Sequence, residues 1–124
     1  MRFVLPIVMG GVLYSGMMAS GFSSAYLDCV RHPRSMAAMR QCTHEEWQRQ
    51  ERRLTRAYRA AMDSLGPRER RELRDVQRAW IRYRDARCDF IYDREGGSMA
   101  GLAAETCKME MAEHRAGQLW RIAE

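Results

Sequence analysis

From Tyr26 onward the apolar residues recur with a helical period, and no strand-like alternation of any length interrupts them. Trp47, Leu54, Tyr58, Ala61 and Leu65 make one stripe at spacings of three, four and seven. Leu73, Val76, Trp80, Tyr83 and Ile91 make a second, and Leu102, Met109, Ala112, Ala116, Leu119 and Ile122 a third. Each reads as the buried face of an amphipathic helix. Tryptophan and methionine at such spacing belong to a core rather than to a cofactor box.

Punctuation sets the bounds of the three helices. Pro33 confines Tyr26 to Arg31 to a short lead-in, and Ser35 is placed to cap a helix running to about Ser64. Thr43 with Glu46 also fits a capping box, which would break that helix near Cys42; one continuous helix is preferred. In Leu65-Gly66-Pro67, Gly66 can take a left-handed conformation after the helix, and Pro67 suits the first turn of the next. A second helix is expected from Pro67 to about Asp93. Glu95-Gly96-Gly97-Ser98 follows as a loop, with Ser98 capping a third helix that ends near Ala123. Three helices of matched length, roughly 40 Å each, joined by short turns, predict an all-α fold. It is an antiparallel, up-down-up three-helix bundle with a short N-terminal lead-in helix.

The opening residues have a different character. Arg2 precedes an almost uncharged apolar stretch from Phe3 to Ala19, interrupted by Pro6, Gly10, Gly11 and Gly16. This reads as a secretory signal peptide rather than a permanent membrane span. Ser23 and Ala25 stand three and one positions before a possible cut, so residues 1–25 are assigned to the signal peptide and 26–124 to one helical domain. Asp28 before Cys29 does not fit a lipidation box. The destination is the periplasm or the exterior. A domain of roughly 100 residues buries a limited core and profits from covalent staples.

The full chain carries 21 basic and 16 acidic residues, a formal charge of +5, and Lys108 is its one lysine. Arginine pairs bidentately with carboxylate or phosphate. Outside the cytosol this favours acidic protein surfaces or anionic envelope polymers over nucleic acid, although a solvated, charge-rich helix surface explains much of it.

Four cysteines, Cys29, Cys42, Cys88 and Cys107, admit three pairings. Proximity favours Cys29 with Cys42, pinning the lead-in to the first long helix, and Cys88 with Cys107, tying the second to the third. The latter is tight if the helices stop at Asp93 and start at Ser98; it asks that the second overrun Asp93 or the third begin nearer Gly101. Cys29-x-x-His32 and Cys42-x-His44 supply zinc-type ligands. Their spacing is poor and an exported chain favours oxidation, so neither a metal nor another cofactor is expected.

Polar residues interrupt the stripes. Glu51 continues the line of Trp47 and Leu54, while Gln77 and Arg84 lie one turn either side of Trp80, and all three should be largely buried. An antiparallel register about Gly66 brings Glu51 level with Arg84 and predicts an ion pair. Cys88 paired with Cys107 brings Arg115 level with Trp80. One carboxylate beside two guanidiniums lacks the second acid or base of a hydrolase. The cluster therefore reads first as a register-fixing network, and no catalytic residue is assigned.

Gln77-x-x-Trp80-Ile81-x-x-Arg84-Asp85-x-x-Cys88, then Gly96-Gly97-Ser98, Cys107 and Arg115-x-x-x-Leu119, resemble the N-terminal domain of the LprI lysozyme-inhibitor family. The likeness extends to Cys29, Cys42, Leu54 and Tyr58. It implies an exported, helical, disulfide-bridged and non-enzymatic binding protein that blocks a target cleft, with lysozyme or another envelope protein as partner. The family more often has aspartate at Glu51, asparagine at Thr55 and threonine at Ala112. Animal lysozymes are cationic and are not steered to a basic partner by net charge. Contact would need a local acidic patch, for which Glu105, Glu110 and Glu113 are available, or insertion of the Gly96-Gly97 loop. The alternative is an envelope-associated structural or anionic-polymer-binding protein.

Overall fold

The computed structural model of the chain describes residues 21–124. The expected signal segment thus lies outside the described residues up to Ser20, and its last residues, 21–25, lie within them. Four α-helices follow one another: α1 (Ser24–Arg31), α2 (Met36–Asp63), α3 (Pro67–Glu95) and α4 (Ala100–Ala123), with a single 3-10 turn at Gly97–Met99 before α4. The described residues contain no strand.

Local chemistry accounts for most boundaries. Ser35 caps α2, its hydroxyl accepting from the Ala38 N–H at 3.0 Å, and α2 passes Cys42 without a break. Gly66 is not left-handed: its φ is −77° and ψ 172°, because the residue before a proline is held in extended backbone. The carbonyl of Met62 at the end of α2 instead accepts from Arg70 Nε at 2.9 Å. At the other turn Gly96 and Gly97 both take positive φ, 62° and 61°, which side-chain-bearing residues resist. Ser98 is not the cap of α4. It sits inside the 3-10 turn, and its carbonyl accepts from Arg40 of α2.

The helices do not pack as a simple meander. α4 is the central element, with α2 and α3 each lying along it and scarcely touching one another's backbone. Ala57 and Ala61 of α2 meet Ala112 and Ala116 of α4, all fully buried, with Leu54, Leu73 and Leu119 completing the core. Small side chains along this seam let the two helices approach closely, and Tyr58, Met62, Leu65 and Trp80 pack around it.

This arrangement corrects three expectations about burial. Val76, Tyr83 and Ile122 are exposed: α3 presents only one narrow line, Leu73, Gln77 and Cys88, to the interior, and Ile122 lies in the last turn of α4, beyond its last buried residue, Leu119. On α2 the deepest line is Thr43, Glu46, Gln50, Leu54, Ala57 and Ala61, turned toward α4. The stripe through Trp47, Glu51 and Tyr58 is only half-buried because it faces the gap toward α3.

Two disulfides staple the bundle. Cys29 joins Cys42 with Cα atoms 6.5 Å apart, and Cys88 joins Cys107 at 5.7 Å. The second is reached because α3 overruns Asp93 to Glu95 and α4 begins at Ala100, leaving each cysteine about 10 Å from its end of the turn. With both sulfurs of the Cys29–Cys42 pair in a covalent bond, no thiolate remains there for zinc.

Candidate functional site

Two guanidiniums lie against Trp80 of α3. Arg84, one turn further along the same helix, places its Cζ 5.4 Å from the ring centroid, and Arg115 of α4 approaches at 5.8 Å. Cations over an indole face are attracted by its quadrupole. Arg84 is held in turn by two carboxylates, with Nη1 3.2 Å from Glu51 Oε1 of α2 and Nη2 3.1 Å from Asp85 Oδ1. Trp47 Nε1 also donates to Glu51 Oε1, at 3.1 Å. The residues of the expected polar cluster therefore meet across three helices.

Arg115 is treated differently. It has no carboxylate partner; Nε donates to Gln77 Oε1 at 3.0 Å and Nη1 to Gln118 Oε1 at 3.1 Å, while Nη2 is buried without a hydrogen bond. Burial pushes its pKa down from the ordinary arginine value. Neutral amides and an aromatic face satisfy a cation less fully than a carboxylate does, so this end of the network remains an electropositive spot.

The expectation of burial holds for Gln77 and not for Glu51, whose side chain keeps 36% of its exposure while Arg84 keeps 16%. The reason is the gap between α2 and α3. It forms an open groove of about 400 Å³ whose walls include Tyr58, Trp80, Arg74, Arg78, Glu51 and Arg84. A second groove of about 400 Å³ lies on the other side of Trp80, between α3 and α4, with Tyr83, Arg87, Glu110 and His114 among its walls. Trp80 is the partition between them.

A second polar centre carries no mark in the hydrophobic pattern. Glu46 and Gln50 are buried on α2, at 3% and 0% exposure. Ser23 donates its N–H to Glu46 Oε1 at 2.9 Å and its hydroxyl to Oε2 at 2.6 Å. Arg49 Nη2 adds a contact at 3.2 Å and Gln50 Nε2 one at 2.9 Å. Burial alone would raise this carboxyl; the donors from Ser23, Arg49 and Gln50 outweigh it and hold the pKa at about 2. The clue in the sequence was the Thr43–Glu46 spacing, which looked like a capping box and is instead the polar start of α2's buried line.

Near the Gly96-Gly97 turn, His44 Nδ1 lies 3.0 Å from Glu105 Oε1, and Lys108 sits over Trp47 at 5.3 Å. Glu105 is thus engaged rather than freely displayed. Glu113 is also taken up, 4.0 Å from Arg53 Nη1, which leaves Glu110 the most open of the three acidic residues considered. Among the described residues, no group of three or more His, Cys, Asp or Glu is placed to hold a metal ion, and no helix is long and apolar enough to cross a membrane.

The architecture and the cross-links define a small, disulfide-stapled helical module whose polar motif lies on the central and outer helices. The chain belongs to the LprI family: the family model described as "Lysozyme inhibitor LprI" matches residues 29–119. An uncharacterized protein of Rhizobium meliloti (strain 1021) is 36% identical over 53 residues, which cover 42% of this chain and 38% of that protein. The match thus spans well under two thirds of the relative's length. No solved structure matches the chain.

Proposed function

We propose that this protein is an exported, non-enzymatic binding module of the lysozyme-inhibitor type, which acts by docking on its target and covering the target's cleft. The family match over residues 29–119 carries the reading. The exposed flank of α3 beside the α3–α4 groove supports it and is the surface assigned to docking. Val76, Tyr83 and Phe90 recur every seventh residue along that face, and Tyr83 and Phe90 are 58% and 62% exposed. Arginines 82 and 87 flank them. Exposed aromatics beside arginine are the composition of interface hot spots, and a helix so little used by its own core is free to serve another. The disulfides and the exported family are consistent with a periplasmic or secreted location.

The test is lysis of cell-wall substrate by lysozyme in the presence of the purified, oxidised protein. Inhibition should saturate as the protein is added, and full lysis at large excess would refute the reading. Replacing Tyr83 and Phe90 together by alanine should weaken inhibition at least about tenfold, the cost of losing aromatic hot-spot contacts, while leaving the melting temperature in place.

A second reading rests on the α2–α3 groove. Arg74 and Arg78 line it without a carboxylate partner beside Tyr58 and Trp80, a composition suited to a carboxylate-bearing envelope saccharide. Cosedimentation with cell-wall material, lost in moderate salt and in Arg74→Ala/Arg78→Ala, would favour it over cleft blocking.

A further inference from the structure

Small residues at alternate positions permit the leader to be cut at more than one bond. Ser23-Ser24-Ala25 would start the mature chain at Tyr26; Ala19-Ser20-Gly21 would start it at Phe22. The fold distinguishes them. We propose that the export leader is removed after Gly21, so that the mature protein keeps Ser23 as the anchor of its buried Glu46. This rests on the reading of the chain as exported.

Ser23 does three things at once. Its N–H and hydroxyl both donate to Glu46, and the same hydroxyl accepts the Tyr26 N–H at 3.1 Å to cap α1. A cut after Ala25 would remove all three. It would also shorten α1 by a quarter and place a new ammonium at Tyr26, where the positive end of the helix dipole disfavours it. Two of the four groups donating to a carboxylate that is 3% exposed would be gone.

A cut after Gly21 leaves Ser23, its bonds to Glu46 and the whole of α1 in place. The Gly21 carbonyl accepts from Gln50 Nε2 at 2.7 Å and from Arg49 Nη2 at 3.1 Å, and both of those donors also reach Glu46. Neither is left without an acceptor. Hydrolysis by a signal peptidase adds water across the Gly21–Phe22 peptide bond. Gly21 departs with the leader as a carboxylate, and the Phe22 nitrogen becomes an amine that takes up a proton. That ammonium forms next to the vacated carbonyl position and one residue from the Ser23 N–H bonded to Glu46. Cleavage at this bond thus places a cation one residue from the Ser23 N–H that is bonded to the buried Glu46 carboxylate. Phe22 itself is retained, with its ring 5.6 Å from that of Tyr26.

N-terminal sequencing and intact mass of the protein recovered from the envelope of expressing cells test the bond directly. Phe22 is the expected first residue, and a start at Tyr26 would overturn the proposal. A chain still beginning at Met1 would instead overturn the leader reading on which it rests. A second measurement uses oxidised proteins made with defined N-termini at Phe22 and Tyr26. The Tyr26 form should melt lower by about 5 °C or more, and Glu46→Gln should lower the melting temperature of the Phe22 form more than that of the Tyr26 form. Equal melting of the two forms would show that Ser23 anchors nothing.

Discussion

Glu51 of α2 and Arg84 of α3 meet at 3.2 Å across a gap their helices do not otherwise close. The pair bridges two helices that are held together mainly through a third, and it does so at the mouth of a groove. Its energetic weight is set by that position. Glu51 retains over a third of its side-chain exposure, so water and salt screen the attraction, and the pair is worth on the order of 0.5–1 kcal/mol.

Glu51→Gln should therefore lower the melting temperature by only a few degrees. Arg84→Ala should cost more, about 1–2 kcal/mol, because it also strips an aliphatic stem and a cation from the Trp80 face. Thermal melts of both variants in low and high salt check this: the Glu51→Gln loss should shrink in salt, and the Arg84→Ala loss should persist.

Removing the second disulfide should be the most damaging covalent change. Cys88 and Cys107 are separated by 19 residues and both are buried, so the staple contributes about 3 kcal/mol by restricting the unfolded chain. Cys88→Ala with Cys107→Ala should drop the melting temperature by more than 10 °C at about 4 °C or more per kcal/mol. Reductant should then lower the melting temperature further only through Cys29–Cys42.

Acid should expose the Glu46 centre. Its folded pKa of about 2 lies below the unfolded carboxylate value of about 4.3. The stability it contributes is therefore complete above that unfolded value and is lost as pH falls through the range toward 2. Over that window the contribution is roughly 3 kcal/mol. Denaturant titrations between pH 5 and 2 should show a shallower fall in stability for Glu46→Gln than for the wild type.

The alanine seam makes a packing prediction. Ala57, Ala61, Ala112 and Ala116 have no measurable exposure, so Ala116→Leu has nowhere to place its extra carbons and should cost about 1–3 kcal/mol by forcing α2 from α4. Leu119→Ala should cost about 2–5 kcal/mol through the cavity it leaves. Ala79→Leu on the outer side of α3, an exposed position, should leave stability unchanged in the same denaturant assay.

Much of this protein is written in local chemistry. The helical period, the Ser35 cap, Pro67 at the first turn of α3 and the paired glycines at 96 and 97 are read from neighbouring residues, because caps and turns depend on atoms a few bonds apart. The disulfide pairing follows nearly as directly, since short sequence separation limits where a cysteine can reach. Even the contact of Glu51 with Arg84 follows from counting along two helices joined by a tight turn.

Tertiary structure decided which helix is central. Nothing local tells α2 to prefer α4 over its chain neighbour α3; that choice comes from the alanines on both helices, whose close fit is a property of two surfaces together. It turned the deepest face of α2 from Trp47 and Tyr58 to Glu46, Gln50 and Ala57, left Val76 and Tyr83 outside, and opened a groove where contact was expected. It also drew Ser23, which by composition belongs with the leader, into the domain as the partner of a buried carboxylate. A sequence lists donors and acceptors, but only a folded chain determines which of them are shut away from water and must find each other.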